Sequence, residues 1–311
     1  MSKSIVIMRD IKFSIAIPTF NRLHLLKITL NSVLQQTYHN FEVIISDNNS
    51  DDGTQEYITH VASIDSRVKV NFNKENVGMS RNWDTCLDLA IGDYFLLLSD
   101  DDYFANVNVL TSIASSISSI ACLPKVIATD VNILKKETYV TTDFLPSREI
   151  KVKDFFYNYL TNKLRVYPCA TFIKRDEIKS SYTSFNAKLA CDGCMLVSVL
   201  NLTDEVYYIG ERHVVYRSHD SLSSSTPNIW QDDLLILKEM MKRKYDIFIL
   251  DKVIDEACKR SHIQYISRCI KYKKYREAIF HSIINSFDVF CLSNFKFLFD
   301  NFMRKRKLKR T

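Results

Sequence analysis

The first hundred residues alternate short apolar runs with amphipathic stretches, and that alternation limits the fold more than any other feature of the chain. FSIAI (13–17), FEVIIS (41–46), VKVNF (68–72) and YFLLLS (94–99) are short, apolar and rich in β-branched or aromatic residues, which predicts buried strands. Between them LHLLKITLNSVLQQ (23–36), TQEYITHVASI (54–64) and MSRNWDTCLDLAIG (79–92) repeat apolar residues every three or four positions, which predicts helices. Strand–helix alternation requires βαβ crossovers, hence an α/β fold with a mostly parallel sheet and helices on both faces. Ligands of such sheets collect beyond the carboxyl ends of the strands. Three polar segments therefore share one rim: PTFNR (18–22), SDNNSDDGT (46–54) and SDDDYF (99–104).

Beyond residue 105 the pattern is less regular, with strand-like KVIATDVNIL (125–134), CATFI (169–173) and HVVYR (213–217). From about 228 onward it is helical. The Ser-rich SHDSLSSSTPN (218–228) marks the boundary. The expected organisation is a catalytic domain over 1–225 and a helical C-terminal region over 226–311. With 311 residues, 46% of them hydrophobic, the chain can bury a sizeable core.

A parallel α/β sheet often holds a nucleotide, and the glycines decide how. The five glycines (53, 78, 92, 193 and 210) are nowhere clustered, so neither G-x-G-x-x-G nor G-x-x-x-x-G-K-[ST] is present. A phosphorylated ligand would have to be neutralised by side chains or a metal ion. The run Asp100, Asp101, Asp102 at the end of an apolar strand offers hard oxygen ligands for Mg²⁺ or Mn²⁺. The competing reading is local, with Ser99 or Asp102 capping the helix after residue 104.

Charge and cysteine usage narrow the setting. The formal net charge is +6, and Arg304, Lys305, Arg306, Lys307, Lys309 and Arg310 of the tail account for all of it. A neutral body argues against a nucleic-acid partner. The tail, preceded by Phe287, Phe290, Phe295, Phe297, Phe299 and Phe302, suits an anionic membrane surface, although a core-packing helix with a solvated end fits too. The eight cysteines form only one C-x-x-C, Cys191 and Cys194, with no second pair to complete a zinc set. Reduced thiols suit a reducing compartment. No signal-peptide pattern or run of 18 apolar residues occurs. The expectation is a cytoplasmic protein, peripheral on the inner face of the cytoplasmic membrane.

FSIAIPTFNR, FEVIISDNNSDDGTQEYI, NKENVGMSRNWDTCLDLAIGDYFLLLSDDDYF and VVYRSHDSLS together resemble the inverting family 2 glycosyltransferases with the GT-A fold, of the bacterial polysaccharide type. The likeness is strong over about 12–110, patchy over 165–225 and absent beyond. It implies a nucleotide-diphosphosugar donor, a divalent metal, Mn²⁺ or Mg²⁺, and transfer to a polysaccharide or lipid-linked oligosaccharide with inversion.

The same resemblance assigns residues. Pro18, Thr19 and Asn21 lie beside the nucleotide, and Asp47 reads the base and ribose. Asn48 stands where the family carries a second Asp, which puts a uridine donor in doubt. Asn76 and Arg81 approach the nucleotide. Asp101 is the metal ligand and Asp100 faces the donor's ribose or sugar, while Ser99 replaces a common first Asp. Asp192 opens an apolar helix as the family's catalytic base does, with an N-cap as its plainer role; Asp204 and Glu205 are weaker candidates. His219 matches a metal-reaching histidine and Arg217 a diphosphate-binding arginine. Two alternatives remain: a sugar-phosphate nucleotidyltransferase, which would carry a Gly-rich loop near its first strand, and a non-enzymatic membrane-associated binding module.

Overall fold

The computed structural model describes residues 9–118, 120–135, 137–140, 146–160, 164, 167–182, 191–218, 235–242, 251–252, 254–256 and 259. In chain order these form β1 (Phe13–Thr19), α1 (Leu23–Leu34), β2 (Phe41–Asp47), α2 (Thr54–Ile64), β3 (Val68–Phe72), α3 (Met79–Leu89) and β4 (Tyr94–Leu97). Then come β5 (Tyr103–Phe104), α4 (Val109–Ser118), β6 (Val126–Lys135), β7 (Thr138–Val140), β8 (Arg148–Lys151) and α5 (Val152–Leu160). The last described elements are β9 (Thr171–Lys174), α6 (Arg175–Ser181), α7 (Cys191–Leu200) and β10 (Glu205–Arg217).

One sheet runs through the molecule in the order β3-β2-β1-β4-β9-β6-β10-β5, with β7 on β6 and β8 on β10. The first four strands pair in parallel, as the βαβ pattern requires. β9 then inserts antiparallel between β4 and β6, and β6 pairs in parallel with β10, so the whole sheet is mixed. Period-two alternation sends side chains to two helical layers. Phe13, Ile15 and Ile17 of β1 pack with Leu26 and Leu30 of α1, Ile58 of α2 and Ile113 of α4. Ala16 and Ile44 face the other way, toward Cys86 of α3, Phe155 of α5 and Val197 of α7.

The order reverses between β1 and β4, which opens a crevice at their carboxyl ends. Pro18 sits there for a physical reason. β4 pairs with β1 only as far as Ala16, so the missing N–H of Pro18 falls beyond that ladder.

Two sequence expectations are shifted. The third helix stops at Leu89 rather than running to residue 92, because Ala90 is extended and the chain turns back toward β1. Gly92 serves this close approach and not a helix cap: a Cβ there would lie 2.7 Å from Ser14 Oγ and 2.8 Å from both Lys12 O and Ser14 N. Gly92→Ala is expected to cost about 1–3 kcal/mol through overpacking against backbone, read as a lower urea midpoint. HVVYR is only the end of β10, whose first half carries Gly210 and a register irregularity between Ile209 and Val214.

The 225/226 boundary lies outside the described residues, as do His219 and the basic tail. Residues 235–241 are helical, and Leu237 and Met241 are buried in the core that contains α7. Among the described residues no helix is long and apolar enough to cross a membrane.

Candidate active site

The loops after β1, β2, β3 and β4 meet at the carboxyl rim, and polar side chains stitch them together. Asn21 takes φ 51° and Asn49 φ 68°, left-handed backbone that asparagine tolerates better than most residues. Asn21 accepts the Asp51 N–H at 2.9 Å, and its own N–H donates to Ser50 Oγ at 2.8 Å. Asp52 caps two helices at once, accepting from Leu23 N at 2.9 Å for α1 and from Thr54 N and Oγ1 for α2.

Asp47 is fully buried. Its Oδ2 accepts from Ser50 N at 3.0 Å and Gln55 Nε2 at 2.8 Å, while its Oδ1 has no hydrogen-bond partner among the described residues. A buried carboxylate oxygen without a donor is costly unless a ligand supplies one.

Asn48 has a structural reason to be an amide. Its Nδ2 donates to Asn76 Oδ1 at 2.8 Å, and its Oδ1 accepts from Val77 N at 2.9 Å and Asn73 Nδ2 at 3.1 Å. Asn76 Oδ1 also accepts the Gly78 N–H, and Asn73 continues the network to Asn82, which bonds Ser46. The residue thus holds the 73–78 loop against β2. A carboxylate at 48 would face the Asn76 oxygen, acceptor to acceptor. Asn48→Asp is therefore expected to lower stability by about 1–3 kcal/mol, measurable by urea denaturation. Arg81 lies exposed on the first turn of α3, beyond this loop.

The acidic segment is anchored on both sides. Thr29 Oγ1 of α1 donates to the carbonyls of Asp100 at 2.9 Å and Asp102 at 2.6 Å. Thr19 Oγ1 donates to Asp100 Oδ2 at 2.8 Å. On the far side the Arg217 N–H donates to Asp102 Oδ1 at 2.9 Å, and the Arg217 guanidinium stacks 4.9 Å from the Tyr103 ring centroid. Asp102 is not a helix cap, since α4 begins only at Val109; it ties the segment to β10. All three carboxylates are buried. Burial raises the Asp102 carboxyl to about 7, with Asp101 pushing the same way and the Arg217 N–H opposing. Burial also raises Asp100 to about 6, against the pull of Arg22.

Arg22 is the residue the sequence reading passed over. Its Nη1 donates to Asp100 Oδ1 at 3.0 Å and to Asp101 Oδ2 at 3.1 Å. One signal could have found it: Arg22 is the N-cap of α1, where the helix dipole disfavours a cation, so an acidic partner elsewhere was implied.

Two hard carboxylate oxygens therefore flank a single cationic nitrogen. That donor set fits Mg²⁺ or Mn²⁺, which Asp101 and Asp100 would hold. Among the described residues no three His, Cys, Asp or Glu side chains converge on one point. Asp192 lies in the first turn of α7. β10 ends at the rim beside Asp102, and a short link joins its start to the end of α7. Asp204 and Glu205 lie at the opposite end, where Asp204 O accepts Val152 N and Glu205 pairs with Lys151.

The family model for glycosyl transferase family 2 matches residues 14–170. A GalNAc(5)-diNAcBac-PP-undecaprenol beta-1,3-glucosyltransferase of Campylobacter jejuni is 36% identical over 92 residues, 29% of this chain and 30% of that protein. A UDP-Glc:alpha-D-GlcNAc-diphosphoundecaprenol beta-1,3-glucosyltransferase of Escherichia coli is 35% identical over 100 residues, 32% of this chain and 39% of that one. The matches thus span well under half of either relative. Among solved structures, S. aureus TarS 1-349 in complex with UDP-GlcNAc superposes with a TM-score of 0.65 at 17% identity, covering 84% of this chain and 73% of that one. At that identity the likeness is one of fold.

Proposed function

The chain belongs to glycosyl transferase family 2, and from that premise we propose that it moves a sugar from a nucleotide-diphosphosugar to a hydroxyl of a lipid-linked glycan, with inversion and with a divalent metal held at Asp101. The observation that carries this reading is the bonding of the β1 loop to the acidic segment through Thr19 and Arg22, beside the partnerless Asp47 oxygen. The rim thus offers an acceptor for a base N–H at one end and a cation-binding pair of carboxylates at the other. Both curated relatives are named for undecaprenol-linked acceptors, and one for UDP-Glc.

The roles divide along the crevice. Asp47 Oδ1 would accept a ring N–H, which uracil and guanine possess and cytosine lacks. Asn48 is occupied by the 73–78 loop, so the family departure there need not disfavour uridine. Pro18, Thr19, Asn21, Asn76, Arg81 and Arg217 line the donor's path, and Asp100, expected toward the ribose or sugar, has Oδ2 taken by Thr19 and would share the metal through Oδ1. The metal would neutralise a diphosphate leaving group. Asp192 would take the acceptor hydroxyl's proton as that oxygen attacks the anomeric carbon. His219 would complete the metal shell. A lipid-linked acceptor resides at a membrane surface, to which the aromatic and basic residues of 287–311 are suited.

Calorimetric titration of UDP-glucose, UDP-GlcNAc, dTDP-glucose and GDP-mannose, each with and without Mn²⁺, tests the reading. At least one uridine donor should bind only with metal and be slowly hydrolysed to UDP. Failure of every donor to bind would overturn it. A nucleotidyltransferase would instead consume a nucleoside triphosphate and a sugar 1-phosphate, and a binding module would show no metal-dependent uptake.

A further inference from the structure

The acidic segment already has a cation, and it comes from this chain. Arg22 Nη1 bonds Asp100 Oδ1 and Asp101 Oδ2, the same two oxygens that suit a divalent ion. The carboxylates are buried, with side-chain exposures of 6% and 8%, whereas the Arg22 side chain is 45% exposed. The fixed partners and the movable one are thereby distinguished. The backbone of Arg22 is held by the first turn of α1, its carbonyl accepting from Leu25 N at 2.9 Å and Leu26 N at 3.0 Å. The guanidinium can leave by side-chain rotation alone, with the helix start undisturbed.

We propose that Arg22 is a resident counter-cation which opposes uptake of metal alone and passes to the donor's diphosphate when metal and nucleotide enter together. A guanidinium and a divalent cation cannot both occupy the gap between the two carboxylates, since like charges at contact repel. A dication added while Arg22 stays also leaves the carboxylate pair overcompensated. A diphosphate reverses that balance and gives the guanidinium planar, anionic oxygens that it can bind in bidentate fashion. Arg22 is then a positioning residue that couples two binding events: it opposes metal alone and supports metal with nucleotide. The inference rests on the metal-dependent reading above and adds an order of assembly to it.

Mn²⁺ binding to the full chain, followed by electron paramagnetic resonance and calorimetry, tests this without any turnover. Arg22→Met keeps the side-chain bulk and removes the charge, and Arg22→Lys retains a cation. Arg22→Met should bind Mn²⁺ alone about tenfold more tightly than wild type, the factor carried by one charge-assisted hydrogen bond. Arg22→Lys should restore weak uptake. With saturating Mn²⁺, Arg22→Met should bind UDP about tenfold more weakly than wild type, because the phosphate contact is missing. Thermal melts confirm that the variants are folded. Equal Mn²⁺ affinity in wild type and Arg22→Met, with uptake abolished in Asp101→Ala, overturns the role of Arg22 and leaves the metal-dependent function standing. No Mn²⁺ uptake by any form, with or without UDP, overturns both.

Discussion

Asp101→Ala is expected to lower sugar transfer by about 10³-fold, the factor that several kcal/mol of lost leaving-group stabilisation produces. Asp101 shares the Arg22 nitrogen with Asp100, and the two oxygens define the cation position. Asp100 is also held by Thr19, so its other oxygen is already engaged. Removal of Asp101 leaves Arg22 bound to a single carboxylate and would take from the proposed metal its principal protein ligand. Folding should survive, because three buried acids repel one another and deleting one relieves that cost. The check is a transfer assay at saturating donor across a Mn²⁺ series, paired with a thermal melt. A drop in rate that high Mn²⁺ partly rescues supports the ligand role. A drop that follows the melting temperature would reduce Asp101 to a structural residue.

The parallel half of the sheet was legible because each of its strands is a compact apolar run and each crossover an unbroken helical repeat. β5, β7 and β8 were not, since they are two to four residues long; β5 and β8 are held by β10 far away in sequence, and β7 is a three-residue return on β6. β5 is held by β10 across more than a hundred residues, which no local pattern can announce. The first half of β10 was hidden because Gly210 and the register irregularity after Ile209 break its alternation.

The site divides in the same way. Thr19, Asp47 and the acidic segment stood out because polar residues at the ends of parallel strands must share a rim. What spacing could not reveal was how their hydrogen bonds are distributed. Asn48 read as a departure that put a uridine donor in doubt, yet its donor to Asn76 and its acceptor to Val77 N explain the amide by loop geometry. Asp102 read as a cap and is instead the link to Arg217. Arg22 was overlooked because an arginine at a helix start is common on surfaces, and only tertiary structure brings Asp100 and Asp101 within reach.

Asp192→Asn is expected to reduce the transfer rate by about 10²–10⁴-fold, the range of general base catalysis, with donor affinity unchanged. A single inverting displacement would need a carboxylate to accept the acceptor's proton, and the buried rim acids already hold partners within the fold. Asp47 is held by Ser50 and Gln55, Asp100 by Thr19 and Arg22, and Asp102 by the Arg217 N–H. Asp204 and Glu205 lie at the base of the sheet. Asp192 lies in the first turn of a helix whose remaining turns are packed into the core through Cys194, Met195, Val197 and Leu200. A buried helix makes a rigid mount for a base. The competing role is an N-terminal cap, and asparagine is as good a cap as aspartate. Asn at 192 therefore separates the two: a cap would survive the change with full activity, and a base would not. Unchanged melting temperature and unchanged Mn²⁺–UDP binding, together with a collapsed transfer rate, would assign the proton transfer to Asp192. Full activity in Asp192→Asn would remove Asp192 as the base.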